Sequence, residues 1–349
     1  MEFSNSLINW YLQNKRDLPW RNTDNPYLIW LSEIMLQQTR VAQGLPYFLT
    51  FTTTFPTVFD LANAKEEQVL KLWQGLGYYS RARNLHATAK YIAFELNGKF
   101  PSNYKELLKL KGVGEYTAAA IASFSYNEPV AVLDGNVFRV LSRYFNLDSD
   151  ISLPKTKTEF QQLAQEVLNK NNPALFNQAI MEFGALQCVP KNPNCTSCDL
   201  NTSCAALQYK KVAELPVKTK KTKVTNRYLN YLILKDSDSN FIVQKREGKG
   251  IWENLYEFPV LETENLLTEK EAINQIKGMR FYNKKPSEIL ILHNDVILHK
   301  LSHQHLNIRF FALHFNSKLP DAKSFTEIVK LPFPIVIHNF MVSNYFNSY

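Results

Sequence analysis

Leu110-Lys111-Gly112-Val113-Gly114-Glu115-Tyr116-Thr117-Ala118 is the stretch on which the fold turns. A short helical pattern, Tyr104 to Leu110, runs into it, and a second, Tyr116 to Phe124, leaves it. Two glycines at this spacing let the backbone turn tightly and bring bare N–H groups to the start of the second helix, where a phosphate is favoured. That is the geometry of a helix–hairpin–helix, which grips a nucleic-acid backbone without reading sequence. The plainer alternative is an ordinary interhelical turn. The flanking helices and the basic charge of the chain favour phosphate binding.

Outward from the hairpin, residues 1 to about 205 read as helices. Leu28, Leu31, Met35 and Leu36 form an apolar stripe at helical spacing, and further patterns span Ser80 to Asn97, Val137 to Phe145, Thr158 to Leu168 and Pro173 to Leu186. Two carboxylates stand out. Asp134, in Leu133-Asp134-Gly135-Asn136, precedes a helix and reads first as its N-cap. Glu33 sits beside Trp30 and Ile34; by itself it reads as an exposed helix face, or else as an acid whose pKa burial raises. The pair gains meaning only if both face one pocket.

The four cysteines fall in one run, Cys188, Cys195, Cys198 and Cys204, spaced C-x6-C-x2-C-x5-C. Four thiolates so close can close a sulfur cage around zinc or an iron–sulfur cluster, whereas a disulfide framework would scatter them. Spacing leaves the two metals open. Forty Lys and Arg against 32 Asp and Glu give a formal charge of +8, which favours a polyanionic partner. The N-terminus lacks a basic patch followed by an apolar stretch, and no apolar run reaches the length of a membrane span. A thiol-bound metal and the missing targeting signal together lead us to expect a cytoplasmic protein with no membrane role.

The composition shifts after the cysteines. Residues 209–227, with Lys218, Lys220, Lys221, Lys223 and Pro216, read as a basic, solvated linker. Beyond it the pattern turns to strands. Tyr228 to Leu234 and Phe241 to Gln244 flank the polar cluster Asp236 to Asn240 and suggest a hairpin. Ile289 to Leu292, Val296 to Leu301 and Ile308 to Phe315 supply further strands, and Glu269 to Ile276 and Asn339 to Phe346 read as helices. We expect a multi-domain protein: an all-α domain over residues 1–208, the linker over 209–227, and an α+β domain over 228–349.

Several motifs in order resemble the MutY family of helix–hairpin–helix adenine DNA glycosylases. They are Leu18-Pro19-Trp20-Arg21, Trp30-Leu31-Ser32-Glu33-Ile34-Met35-Leu36-Gln37-Gln38-Thr39, Gly75-Leu76-Gly77-Tyr78-Tyr79, the hairpin, Leu133-Asp134-Gly135-Asn136 and the four cysteines. The resemblance implies one [4Fe–4S] cluster in the cysteine loop. It implies a monomer acting on double-stranded DNA that contains A:8-oxoguanine or A:G mispairs, with the adenine flipped out of the stack for excision. It also implies roles: Glu33 as general acid, Asp134 as the carboxylate that counters charge on the sugar, and Tyr116 and Asn136 as their supports. Arg16, Trp20, Arg21, Leu36 and Gln178 match the adenine pocket, and Gln38, Leu76 and Tyr78 match side chains wedged beside the lesion. Gly112 and Gly114 match the DNA-gripping hairpin. Bifunctional relatives carry a Schiff-base lysine at the position of Tyr116, so lyase activity is not expected.

The C-terminal part resembles the family's Nudix-like module, with Gly250-Ile251-Trp252-Glu253-Asn254-Leu255-Tyr256-Glu257-Phe258-Pro259 aligned to its strand region. Leu266 to Lys277 lacks the arginine–glutamate–glutamate pattern that holds magnesium in a Nudix hydrolase, so the resemblance implies recognition of 8-oxoguanine through Ser302 and His303. The family has phenylalanine where this chain has Leu301. Three rival readings are a bifunctional glycosylase/lyase, a catalytically silent DNA-binding iron–sulfur protein and a nucleotide pyrophosphohydrolase. Tyr116 with the extra C-terminal domain, the intact Glu33 and Asp134 pair, and the missing metal helix oppose them in turn.

Overall fold

The structure, a computed structural model, describes residues 2–219, 223–292, 295–343 and 346. Lys220 and Lys221 of the expected linker, and Asn344 and Tyr345 of the last expected helix, lie outside the described residues. In chain order the helices of the first part are α1 (Glu2–Asn14), α2 (Pro26–Leu36), α3 (Val41–Thr54), α4 (Val58–Asn63), α5 (Glu66–Leu72) and α6 (Ser80–Lys90). They continue with α7 (Tyr104–Leu107), α8 (Glu115–Tyr126), α9 (Gly135–Tyr144), α10 (Pro154–Val167), α11 (Pro173–Leu186) and α12 (Ala205–Gln208). The chain divides into two compact units. One comprises 1–63 and 84–220, the other 64–83 and 221–349, so α5 and the Gly75–Tyr79 loop cluster with the C-terminal part.

In the first unit, α2 is apolar almost all round. Ile29, Trp30, Leu31, Ile34 and Met35 are buried, and Asn25 caps its start with Pro26 in the first turn. A helix that packs on both α3 and α8 has no solvent face left for Glu33, which corrects the exposed-face expectation. The run Ala118 to Ala122 in α8 is fully buried, its small side chains allowing close helix packing. Leu7, Trp10 and Tyr11 of α1, Val140 and Leu141 of α9, Phe160 of α10 and Phe176, Ile180 and Phe183 of α11 share one core. α10 starts four residues before the expected Thr158 because Pro154 sets its first turn. The helix expected to run to Asn97 widens at Tyr91–Glu95 into a π turn, and Gly98 (φ +76°) ends it by bonding Ile92 O at 2.8 Å. The early part of the expected linker is no free tether: Leu215 is buried, its carbonyl accepts from Arg143 Nε, and Val217 O accepts from Ile151 N.

The second unit carries β1 (Thr225–Lys235), β2 (Gln244–Lys245), β3 (Tyr256–Glu257), β4 (Val260–Thr263), α13 (Glu269–Gly278), β5 (Glu288–Ile291), β6 (Ile297–Lys300), β7 (Gln304–His314), α14 (Phe325–Ile328) and α15 (Ile335–Met341). The main sheet has the order β4-β1-β7-β5, with β6 also on β7; β1 and β7 pair in parallel over their whole length. Their runs Leu232–Leu234 and Phe310–Leu313 are wholly buried, as parallel strands covered on both faces should be. Ala272 and Ile276 of α13 pack against Leu232, Leu234, Phe311 and Leu313, and Phe340 of α15 stacks on Phe310 at 3.7 Å. The expected hairpin forms its turn, with Asp236 Oδ1 accepting from Asp238 N and Asn240 N. Its second arm diverges after one bridge because β4 and β7 already occupy both edges of β1; Gln244–Lys245 pairs instead with β3. The last helix starts at Ile335, four residues before the expected Asn339, with Pro334 at its cap. Among the described residues no helix is long and apolar enough to cross a membrane.

Candidate active site

One cavity of about 590 Å³ in the first unit is lined by all nine residues singled out for catalysis or base binding: Glu33, Asp134, Tyr116, Asn136, Arg16, Trp20, Arg21, Leu36 and Gln178. That volume falls within the range of small-ligand pockets. Glu33 enters it from α2, Tyr116 from α8, Asp134 and Asn136 from the start of α9, and Gln178 from α11.

The two carboxylates are held differently. Glu33 is 6% exposed, and Tyr116 Oη donates to its Oε2 at 2.6 Å. Burial pushes its pKa to about 7; the tyrosine bond and Arg21 pull downward, and the nearby Asp134 adds to the rise. Asp134 is half-buried and caps α9: its Oδ1 accepts from Val137 N and its Oδ2 from Asn136 Nδ2, each at 2.8 Å. Burial raises its pKa as well, against those donors and the charge of Arg139. Capping and facing the cavity are therefore one arrangement. Gly184 of α11 allows it, since a Cβ there would meet Asn136 Cβ at 2.7 Å.

Glu182 was not visible in the sequence. It is 1% exposed and accepts from Arg16 (Nε 2.8 Å, Nη2 2.6 Å, backbone N 3.0 Å) and from Arg21 (Nη1 2.7 Å, Nη2 2.5 Å). Burial alone would raise its pKa, but the two guanidinium groups prevail and hold it at about 2. Arg16 and Arg21 thus line the cavity as partners of a buried anion. Tyr11, also missed, donates to Gln178 Oε1 at 2.5 Å and fixes that amide. Trp20 is buried edge-on to Phe48 at 5.0 Å. An acid in an apolar helical run hints at burial for Glu182, but nothing local points to the arginines that hold it.

The four cysteines line a second cavity in the same unit, beside Arg143, Val140, Tyr144 and Leu207. Arg143 is buried; its Nη1 donates to Cys188 Sγ at 3.4 Å and to Val189 O at 2.8 Å, and its Nη2 to Pro190 O at 3.0 Å. Arg139 joins this loop to the carboxylate cavity, bonding Cys188 O, Gly184 O and Asn136 Oδ1. Among the described residues no three His, Cys, Asp or Glu side chains converge on a single metal-ion position. The four sulfur donors instead ring the cavity, and burial favours the neutral thiol for Cys195, Cys198 and Cys204. A donor set made of thiols alone fits an iron–sulfur cluster.

The remaining candidates are distributed over both units. Gly112 (φ +80°) lies in the hairpin, where a Cβ would meet Asn84 Cβ at 2.8 Å, and Gly114 (φ −91°) is the N-cap of α8. Gln38 is exposed with φ +59°. In the second unit, Tyr78 is 47% exposed with φ +46°, whereas Leu76 is 5% exposed and offers no protruding tip. Ser302 and His303 form the exposed tip between β6 and β7, closed by Leu301 N bonding Gln304 O at 2.8 Å, with Ser302 Oγ 3.2 Å from His303 Nδ1.

Residues 31–170 match the model of the HhH-GPD superfamily of base excision DNA repair proteins, and residues 230–342 match that of the NUDIX domain. An adenine DNA glycosylase of Buchnera aphidicola from Schizaphis graminum is 36% identical over 347 residues, covering 95% of this chain and 96% of its own. The adenine DNA glycosylase of Homo sapiens is 43% identical over 215 residues, 59% of this chain and 39% of its own. Among solved structures, a thermostable thymine-DNA glycosylase superposes with a TM-score of 0.56 at 28% identity, over 60% of this chain and 96% of its own. Endonuclease III, solved in a non-covalent complex with DNA, shares the fold at a TM-score of 0.52 and 21% identity, over 60% of this chain and 95% of its own. With 36% identity along nearly its full length and both domains in order, the chain belongs to the adenine DNA glycosylase (MutY) family and is a DNA glycosylase.

Proposed function

We propose that this protein removes adenine paired with 8-oxoguanine, and with guanine, by hydrolysing the N-glycosidic bond in duplex DNA. The observation that carries this reading is that Glu33 and Asp134 line one cavity, with Glu33 buried and its pKa pushed to about 7. An acid poised near neutrality can still hold the proton that it must deliver. Glu33 gives that proton to N7 of the extruded adenine, and the C1′–N9 bond breaks with its electron pair leaving on the base. Asp134 counters the positive charge that develops on the sugar. Water then adds to C1′ and its released proton restores the acid. Tyr116 holds Glu33, Asn136 holds Asp134, and Gln178, fixed by Tyr11, offers its amide to the base. No lysine stands at Tyr116, so the enzyme acts on the base alone.

In this reading Gly112 and Gly114 present backbone N–H groups to phosphate, Gln38 and Tyr78 enter the duplex beside the lesion, and Leu76 follows only if its loop rearranges. Ser302 and His303 read the 8-oxoguanine edge. The second unit recognises and does not hydrolyse: Leu266 to Lys277 lacks the arginine–glutamate–glutamate pattern that would hold magnesium, and Glu271 caps its own helix with Thr268. Cys188, Cys195, Cys198 and Cys204 would hold a [4Fe–4S] cluster, which would fix the fold of their loop. Iron and sulfide assays should find both in the purified protein; zinc in their place would overturn the assignment. The functional reading is tested by single-turnover cleavage of a duplex with one A:8-oxoguanine pair. The parent should release adenine and Glu33→Gln should not; equal release by both would remove Glu33 from its role.

A further inference from the structure

The loop carrying Tyr78 belongs to the second unit, and both of its flanks are fastened there. On the N-terminal flank, Asn254 Nδ2 donates to Glu66 Oε1 at 2.7 Å and Tyr256 Oη to Glu67 Oε1 at 2.6 Å. Lys71 Nζ donates to Val329 O at 2.7 Å and Leu331 O at 3.2 Å, at the carbonyl end of α14, where a cation is favoured. On the C-terminal flank, Arg83 takes Glu253 twice: Nη1 reaches its backbone O and Nη2 its Oε2, both at 2.8 Å. Between the flanks, Arg81 is 9% exposed and lies 5.2 Å from the Trp73 ring and 5.6 Å from the Tyr78 ring. Its Nη2 donates to Leu76 O and Gly77 O at 3.2 Å, and Trp73 Nε1 donates to Gly77 O at 3.0 Å.

These contacts hold an unfavourable conformation. Left-handed backbone is unfavourable for a non-glycine residue, and Tyr78 adopts it with its ring half in solvent. Such strain persists only where the surroundings over-determine it. The immediate surroundings are Arg81 and Trp73, and the flanks of the turn are fastened in their turn to residues 253–256 and 329–331, far along the chain.

We infer that the C-terminal residues of this unit position the Tyr78 loop for insertion into the duplex, with Arg83 and Tyr256 as positioning residues acting through Glu253 and Glu67. The inference rests on the proposed reading of Tyr78 as an inserted side chain. It makes lesion reading by Ser302 and His303 and insertion by Tyr78 properties of one body, so that loosening the fastening weakens lesion preference with no change in the catalytic carboxylates.

A double-mutant cycle on the full-length protein with its metal content intact decides this. The substrate is a duplex with 2-aminopurine stacked beside 8-oxoguanine, whose fluorescence rises when a side chain enters the stack. Two readouts are taken: that fluorescence, and the ratio of single-turnover rates on A:8-oxoguanine and A:G pairs. Arg83→Gln, Tyr256→Phe and Tyr78→Ala should each lower both by about five- to tenfold, while the two clamp variants leave the unfolding of the first unit, which carries the catalytic carboxylates, as in the parent. Arg83→Gln added to Tyr78→Ala should cost nothing more. Multiplying effects in the double variant would overturn the inference, as would clamp variants that match the parent. Should Arg83→Gln fold poorly, the conservative Tyr256→Phe carries the same cycle. Fluorescence reports insertion whether or not adenine leaves, so a parent that binds without cutting would defeat the functional reading and still decide the clamp.

Discussion

Glu33 shows how a position can fix a proton. Its carboxyl is buried where α2 packs against α3 and α8 and meets a phenol, and the cost of desolvating the anion outweighs the bond from Tyr116. With a pKa near 7 in the folded protein and about 4.5 in the unfolded chain, the protonated carboxyl's favourable contribution is complete below pH 4.5 and lost as the pH rises through 7. Glu33→Gln, which never ionises, should therefore match the parent at pH 4 and be more stable at pH 8, by roughly 3 kcal/mol on the scale of 1.36 kcal/mol per pKa unit. The parent's single-turnover rate should fall with rising pH above about 7. Denaturant melts and rate–pH profiles check both; a rate that climbs steadily through pH 8.5 would contradict an acid at this position. At this scale the sequence spoke unevenly. The capping role of Asp134 was legible because a cap is local, whereas the burial of Glu33 depends on helices α3 and α8. Glu182 was illegible because Arg16 and Arg21, which stabilise it as an anion, lie 166 and 161 positions away.

Elements were read well where one helix face decides and poorly where neighbours compete. The hairpin was legible because Gly112 meets two separate demands, a left-handed φ and an approach to Asn84 that leaves no room for a Cβ. Gly114 meets neither, and its value lies in opening α8 with an uncovered backbone. The turn at Asp236 was equally clear, since its side chain closes the loop on its own backbone. The second arm was not, because no local pattern reveals that β7 pairs with β1 in parallel and β4 takes the opposite edge. α2 is the element on which the site depends: its all-round burial places an acid where water is scarce, and a stripe-based reading sees only one of its faces.

The largest departure from a linear reading is in how the molecule is partitioned. Composition divides the chain near residue 209, where lysines cluster, but contacts divide it at three places, taking 64–83 out of the helical part and leaving residues past 209 with it. No composition signal marks 64–83, since α5 and the start of α6 are ordinary helices with Val69, Leu70 and Trp73 buried. Cooperative opening follows contacts, not sequence neighbourhood. Native-state hydrogen exchange on the full chain should therefore show the amides of 66–73 and 81–83 opening with those of β1 and β7, at the same free energy and the same denaturant dependence. The amides of α2, α8, α9 and α11, which carry the carboxylate cavity, should form a separate group. The Arg83→Gln and Tyr256→Phe variants should lower the opening free energy of 66–73 and leave α2 and α9 unchanged, because the links they cut lie wholly inside the second unit. Amides of 66–73 that open together with α2 and α9 would show that covalent continuity outweighs the packing seen here, and the Tyr78 loop would then have to be assigned to the helical part.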